Sequence, residues 1–267
     1  MGMIINPYVA SYDADAVTFF SAAAITSDAQ RNAVNALVVT MKADGTWSKM
    51  VALWPMVGGS SSSHAVNLKT PGTYNLTFNG GITHDSNGVT WNGTTGYAGT
   101  GITPNSHLPD RSIHLSYYTR TNDTSGTTTT CEMGTGYQLS GSDYPYLELY
   151  VAYSGAAVFT AGNVFVGSCT AAVGTSAGYT LGVQRTSTEQ KLFRDGALLA
   201  TRTVLEAAVA ITRELRLGAG VNVAGSVVSH TNRQCAFASV GEGMTETQAV
   251  ALSAAVEVYQ TALSRQV

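Results

Sequence analysis

Asp195-Gly196 stands between two short strand-like runs, Lys191–Arg194 and Ala197–Leu199. The favoured two-residue hairpin turn takes positive φ at both positions, which Asp and Gly tolerate and branched residues do not. A chain that turns there runs antiparallel on either side. From about residue 51 to residue 241 the sequence keeps this style. Short runs rich in Val, Thr, Tyr and Phe alternate with Gly, Asn, Asp and Ser, a pattern of strands and turns. Strands are predicted at Tyr74–Phe78, Val89–Trp91, Ser112–Arg120, Thr128–Met133, Tyr146–Tyr153, Ala156–Thr160, Val164–Cys169, Tyr179–Thr186, Gln190–Arg194, Ala197–Arg202, Glu214–Leu217 and Cys235–Gly241. Spacing this close leaves no room for crossover helices, so the pattern means a sandwich or barrel.

Both ends change to a helical period. Asp13 or Asp15 can cap a short helix carrying Val17, Phe20 and Ala24. Ser27 and Gln30 have capping-box spacing. Val34, Leu37, Val38 and Met41 then form one apolar stripe, and Gly45 sits where a helix stops. A helical turn at Trp47–Met50 leads into the extended run Val51–Val57. At the other end, Thr245 and Gln248 form a second capping box ahead of Leu252, Ala255, Val256, Tyr259 and Leu263. The expected organisation is a helical segment, residues 1–50, packed on a sandwich, residues 51–267, as one structural unit. Gly58-Gly59-Ser60-Ser61-Ser62-Ser63 reads as a flexible loop within it.

Charged residues are 12% of the chain, about half the usual share. Thr, Ser, Asn and Gly must therefore cover much of the surface. The net charge is −3 and no basic run exists, which argues against a nucleic-acid partner. No apolar stretch approaches the ~18 residues of a membrane span. Met1–Pro7 lacks the charged start and long apolar core of a secretory signal. Cys131, Cys169 and Cys235 are far apart and odd in number, so they read as reduced, buried thiols.

Tyr179–Arg202, with its Asp-Gly turn, resembles the hairpin region of laminin-G-like and concanavalin A-like jelly rolls. Leu215-Arg216-Leu217-Gly218 resembles the next strand, and Ala236–Thr245 its close, where a last strand enters a helix. Asn35–Val38, Trp47–Met50, Leu53–Gly59 and His64–Lys69 resemble jelly-roll proteins encoded by tailed bacteriophages. The resemblance implies an all-β, concanavalin A-like jelly-roll β-sandwich with an N-terminal helical lead-in and a C-terminal helix. It also implies a non-enzymatic virion protein: a capsid decoration, head fibre or tail component. Such a protein would be assembled in the host cytoplasm, exposed on the particle as a homo-oligomer, and held by other virion proteins. The alternative is a carbohydrate-binding adhesin for host or mucosal glycans. A polysaccharide hydrolase is the least favoured reading.

Hydrolases of this fold align several carboxylates on one strand face, so that acid and nucleophile flank a sugar bond. Here Tyr146–Tyr150 offers Glu148 alone, and Asp143 lies across Pro145. Gly174-Thr175-Ser176-Ala177-Gly178 matches a nucleophile elbow, but a strand rather than a helix is predicted after it. The five histidines show no metal spacing. Carbohydrate contact would use an aromatic platform, with Trp91, Tyr97, Tyr137 and Tyr144 as candidates. No cofactor is expected beyond calcium held by loop carboxylates, for which Asp123 and Asp143 are the candidates.

Overall fold

The Asp195-Gly196 hairpin forms with φ of 49° and 80°, and the Asp195 carboxylate accepts a 2.6 Å bond from the Tyr179 amide. The structure is a computed structural model that describes residues 11–109, 112–123, 130–136, 145–163, 167–203 and 211–267. In chain order its elements are α1 (Ala14–Ala22), α2 (Asp28–Ala43), a 3₁₀ turn (Trp47–Lys49), β1 (Met50–Trp54) and α3 (Ser61–His64). Next come β2 (Thr77–Asn79), β3 (Ile82–Asp85), β4 (Gly88–Trp91), β5 (Tyr97–Gly99), α4 (Pro104–His107), β6 (Ile113–Thr119) and β7 (Met133–Gly136). The long hairpins follow: β8 (Pro145–Tyr153), β9 (Ala156–Asn163), β10 (Cys169–Ala172), β11 (Gly178–Thr186), β12 (Glu189–Arg194) and β13 (Ala197–Thr203). The chain closes with β14 (Arg216–Leu217), β15 (Gly220–Val221), β16 (Val227–Val228), β17 (Gln234–Gly241) and α5 (Glu246–Ala262).

Two antiparallel sheets face each other. The first runs β13-β12-β11-β6-β17-β4-β3, with β1 also pairing β17. The second runs β10-β9-β8-β7-β14-β5-β2. Between them Leu115, Tyr117, Trp91, Leu147, Leu149, Phe159, Leu192 and Val240 share one core. The Phe159 ring lies directly on Gly182, and a Cβ there would enter it. Glycine belongs at such a crossing because any side chain there would push the layers apart.

The first sheet is buried on its other face too. Tyr118, Tyr179, Leu181, Val183, Phe193 and Phe237 pack against Phe19 and Phe20, the stripe Val34-Leu37-Val38-Met41, and Leu252, Val256 and Tyr259. The result is three layers: helices, first sheet, second sheet. This explains the unbroken burial of Leu115–Tyr118, where a sheet wet on one side would alternate.

Local signals and outcome differ in places. The Thr245–Gln248 capping box forms, whereas Ser27 starts α2 without a side-chain cap. Asp13 caps α1 through the Asp15 amide, but Val17 faces outward and Ala24 lies beyond the helix. Gly58–Ser63 is ordered: Ser60 and Ser63 cap one another and start α3. The predicted strand Tyr74–Phe78 begins only at Thr77, since Tyr74 has φ of 54°.

Candidate functional site

Among the described residues, the long helices pack on the first sheet and leave the outer face of the second to its strands and the β15–β16 hairpin. Thr160, Glu148, Gly134, Arg216 and Gly99 stand in register across five neighbouring strands, β9, β8, β7, β14 and β5. Leu147, Leu149, Met133 and Leu217 point into the core, so Glu148 and Arg216 take the outer side by the two-residue alternation of strands. The β15–β16 hairpin then lies over β7, and a Cβ at Gly134 would meet Gly220 and the Cys131 sulfur. Arg213 holds that hairpin down through the Asn222 and Val223 carbonyls at 2.7 and 2.6 Å. It therefore divides the face, leaving Glu148 on one side and Arg216 on the other.

On the Glu148 side is a cavity of 630 Å³, lined by Glu148, Tyr150, Tyr153, Ser154, Ala156, Val158, Thr160, Ser168, Thr170 and Ser229. A regular strand would put Tyr150 and Tyr153 on opposite faces. The register shifts by one residue between them, so a bulge swings Tyr153 back beside Tyr150. The rings meet edge to face, 5.3 Å apart, and Tyr153 is 39% exposed. The Ser154-Gly155 turn behind the bulge has φ of 48° and 79°. Thr160 and Ser168 hydroxyls bond at 2.6 Å on the opposite wall. Burial raises the Glu148 carboxyl to about 7, although the Tyr150 hydroxyl bonded to it works the other way. The same burial lifts the Tyr150 hydroxyl above its ordinary range. An aromatic edge, several hydroxyls and one carboxylate suit a small polyhydroxylated ligand, with an apolar ring face to stack and hydroxyls to pair.

The residues expected to contact sugar fall elsewhere. Trp91 is only 2% exposed and packs between the sheets, its indole N–H donating to the Tyr117 hydroxyl at 3.0 Å. It is closed to a ligand, so the candidate platform at Trp91 is corrected to a core residue. Tyr97 is half-buried beyond the hairpin, beneath the Arg216 guanidinium, which pairs with Glu214. Tyr137, Tyr144 and Asp143 lie outside the described residues. At Asp123 the backbone is already engaged, the amide by Ser176 and the carbonyl by Arg233. Among the described residues no three His, Cys, Asp or Glu side chains converge as metal ligands.

Ser176 is fully buried, donates to the Thr121 carbonyl at 2.7 Å and precedes a strand, so it forms no nucleophile elbow. The three cysteines are free and buried, and burial raises Cys169 to about 11 and Cys235 to about 12. Neither the Tyr153 bulge nor the covering hairpin could be seen in the sequence. The only local hint was Ser154-Gly155, a pair suited to a tight turn.

No family model matches the sequence, and no curated protein matches it. Solved structures do resemble it in fold. One concerns cell entry of botulinum neurotoxin type C, described as dependent on interaction with two ganglioside molecules: 10% identity, TM-score 0.56, covering 79% of this chain and 52% of that one. Another is the binding domain of botulinum neurotoxin DC in complex with rat synaptotagmin II, at 8% identity and TM-score 0.55, covering 79% and 52%. A third is the CBM40 of Ruminococcus gnavus IT-sialidase bound to α2,6-sialyllactose, at 15% identity and TM-score 0.44, covering 68% and 100%. The chain spans about half the length of the two toxin chains. At such identities the likeness shows the fold alone, and that fold is an all-β jelly-roll sandwich with helices at its ends.

Proposed function

We propose that this protein is a non-catalytic glycan-binding sandwich whose ligand sits on the free face of the second sheet. The Tyr150–Tyr153 pair at the mouth of the 630 Å³ cavity carries the reading. A bulge that turns a tyrosine toward solvent beside a second ring and a set of hydroxyls is an arrangement that sugar stacking uses. The fold hosts glycan-dependent recognition in the ganglioside-dependent toxin, and fold alone assigns no ligand. Glu148 lacks the partner carboxylate that glycoside hydrolysis requires among the described lining residues. The cavity is only half enclosed and each sugar contact is weak, so function would rest on several copies engaging together. The test is a glycan array probed with the multimerised protein and with its Tyr153→Ala variant. Hits lost in the variant support the reading, and an array without hits overturns it.

A virion component of a tailed bacteriophage is the second reading. It rests on the resemblance of Asn35–Val38, Trp47–Met50, Leu53–Gly59 and His64–Lys69 to jelly-roll proteins of tailed bacteriophages. Mass spectrometry of purified particles would detect the chain, and its absence there would remove this setting. The two readings are compatible, because a decoration or tail protein can present a glycan site. Neither calls for a cofactor: glycan binding should persist in EDTA, and its loss would bring calcium back through Asp123 and Asp143.

A further inference from the structure

We infer that the cavity beside Glu148 takes an uncharged sugar ring and rejects sugars that carry a carboxylate, such as sialic acids. This deepens the glycan-binding reading and rests on it. A sugar carboxylate is held by charge-assisted donors, above all the fork of an arginine. None of the described residues lining the cavity is a cation, and its one charged group is the Glu148 carboxylate. The guanidinium in register on the same face, Arg216, stands beyond Gly134 and the covering hairpin and is paired with Glu214. Arg202, whose guanidinium lies beside Gly167, is not among the lining residues, and two guanidiniums near β8 point into the fold. Arg194 donates to the Val151, Ser176 and Ala177 carbonyls, and Arg233 to Glu132 and the Ala152 carbonyl.

Above about pH 7, where Glu148 is ionised, an acidic sugar would thus place a second carboxylate next to it in a half-enclosed site, where like charges oppose each other. A neutral ring meets no such opposition. Its C–H face lies on Tyr153, and its hydroxyls pair with Glu148, Thr160, Thr170 and Ser229. Selectivity here comes as much from what the wall repels as from what it attracts.

The test is a nitrogen-15 NMR titration of the full chain at pH 8 and low salt. One arm uses lactose, N-acetyllactosamine, cellobiose, maltose and chitobiose, and the other uses 3′- and 6′-sialyllactose. At least one neutral disaccharide should shift the amides around Tyr153 and Thr170, with the sialyllactoses at least about ten-fold weaker. The variant Thr170→Arg, at an exposed position on the edge strand β10, should tighten the binding of the sialyllactoses themselves by supplying the missing cation, whatever the loss of the Thr170 hydroxyl costs the neutral sugars. Sialyllactose binding at this face as tightly as the best neutral sugar would overturn the inference and leave the glycan site standing. If none of the seven sugars shifts these amides, the cavity is not a sugar site, and the underlying reading falls with the inference.

Discussion

Arg233 donates to Glu132 at 2.7 Å, and neither side chain is open to solvent. Arg233 also donates to the Thr130 hydroxyl and to the Asp123 and Ala152 carbonyls, at 2.7, 3.0 and 3.1 Å. Glu132 in turn accepts from the Thr231 hydroxyl at 2.9 Å and the Val151 amide at 2.8 Å. One pair thereby ties the approach to β17 in the first sheet to β7 and β8 in the second. Removing one partner leaves a buried charge without its counterpart. Arg233→Met should therefore cost about 3–5 kcal/mol, read as a lower urea midpoint, with part recovered in the double variant Arg233→Met, Glu132→Leu. A single-variant loss below about 1 kcal/mol would show that the pair is dispensable.

Glu148 should make the protein less stable as pH rises. Its folded value, about 7, lies above the ordinary 4.5, so the folded state holds a proton that the unfolded state has lost between those values. Stability falls through that window and levels off above about pH 7. Glu148→Gln should thus stabilise at pH 8 by up to about 3 kcal/mol and leave pH 4 unchanged. Equal effects at both pH values would mean the carboxyl titrates normally.

His64 and His114 act in the opposite direction. Burial depresses them to about 3 and about 4 from 6.5, although the Glu242 carbonyl bonded to His114 at 2.7 Å resists the shift. The stability they confer is present above pH 6.5 and is lost as pH falls toward their folded values. Both imidazoles should stay neutral at pH 5 by NMR. The acid-side loss of stability should also be steeper in Glu148→Gln, where the opposing contribution is gone.

The meeting of the two sheets can be tested at Gly182. An added methyl there enters the Phe159 ring, so Gly182→Ala should cost about 1–3 kcal/mol in thermal or urea unfolding. Gly155→Ala, at a turn where nothing lies within contact of the new atom, should be destabilising only through its φ of 79°.

Tyr153 should be separable from the fold. Its ring is partly exposed at a hairpin end, so Tyr153→Ala should change stability by less than about 1 kcal/mol while abolishing glycan binding. A large loss of stability would recast the Tyr150–Tyr153 contact as structural.

Much of the architecture was legible locally. The Asp195-Gly196 turn, the Val34–Met41 stripe and the Thr245–Gln248 cap follow from chemistry within a few residues of chain, and each formed. The short strands were harder. β3, β5, β15 and β16, two to four residues each, carry too little pattern to detect and exist because neighbouring strands complete their hydrogen bonds.

The site was not legible, and Trp91 shows why. A tryptophan between Thr90 and Asn92 reads equally as a loop platform or a core residue, and only the sheet facing it decides. Tyr150 and Tyr153 carry the reverse lesson. Their odd spacing assigns them to opposite faces, and the one-residue register shift that brings them together is set by pairing with β9. The sequence alone determined an antiparallel sandwich with helical ends, because turn chemistry and hydrophobic period act over a few residues. Which face stays open, which tyrosine looks out of it, and that Glu148 rather than a cation lines it were decided by the tertiary structure. Those outcomes depend on burial and register between segments far apart in the chain, which local pattern does not encode.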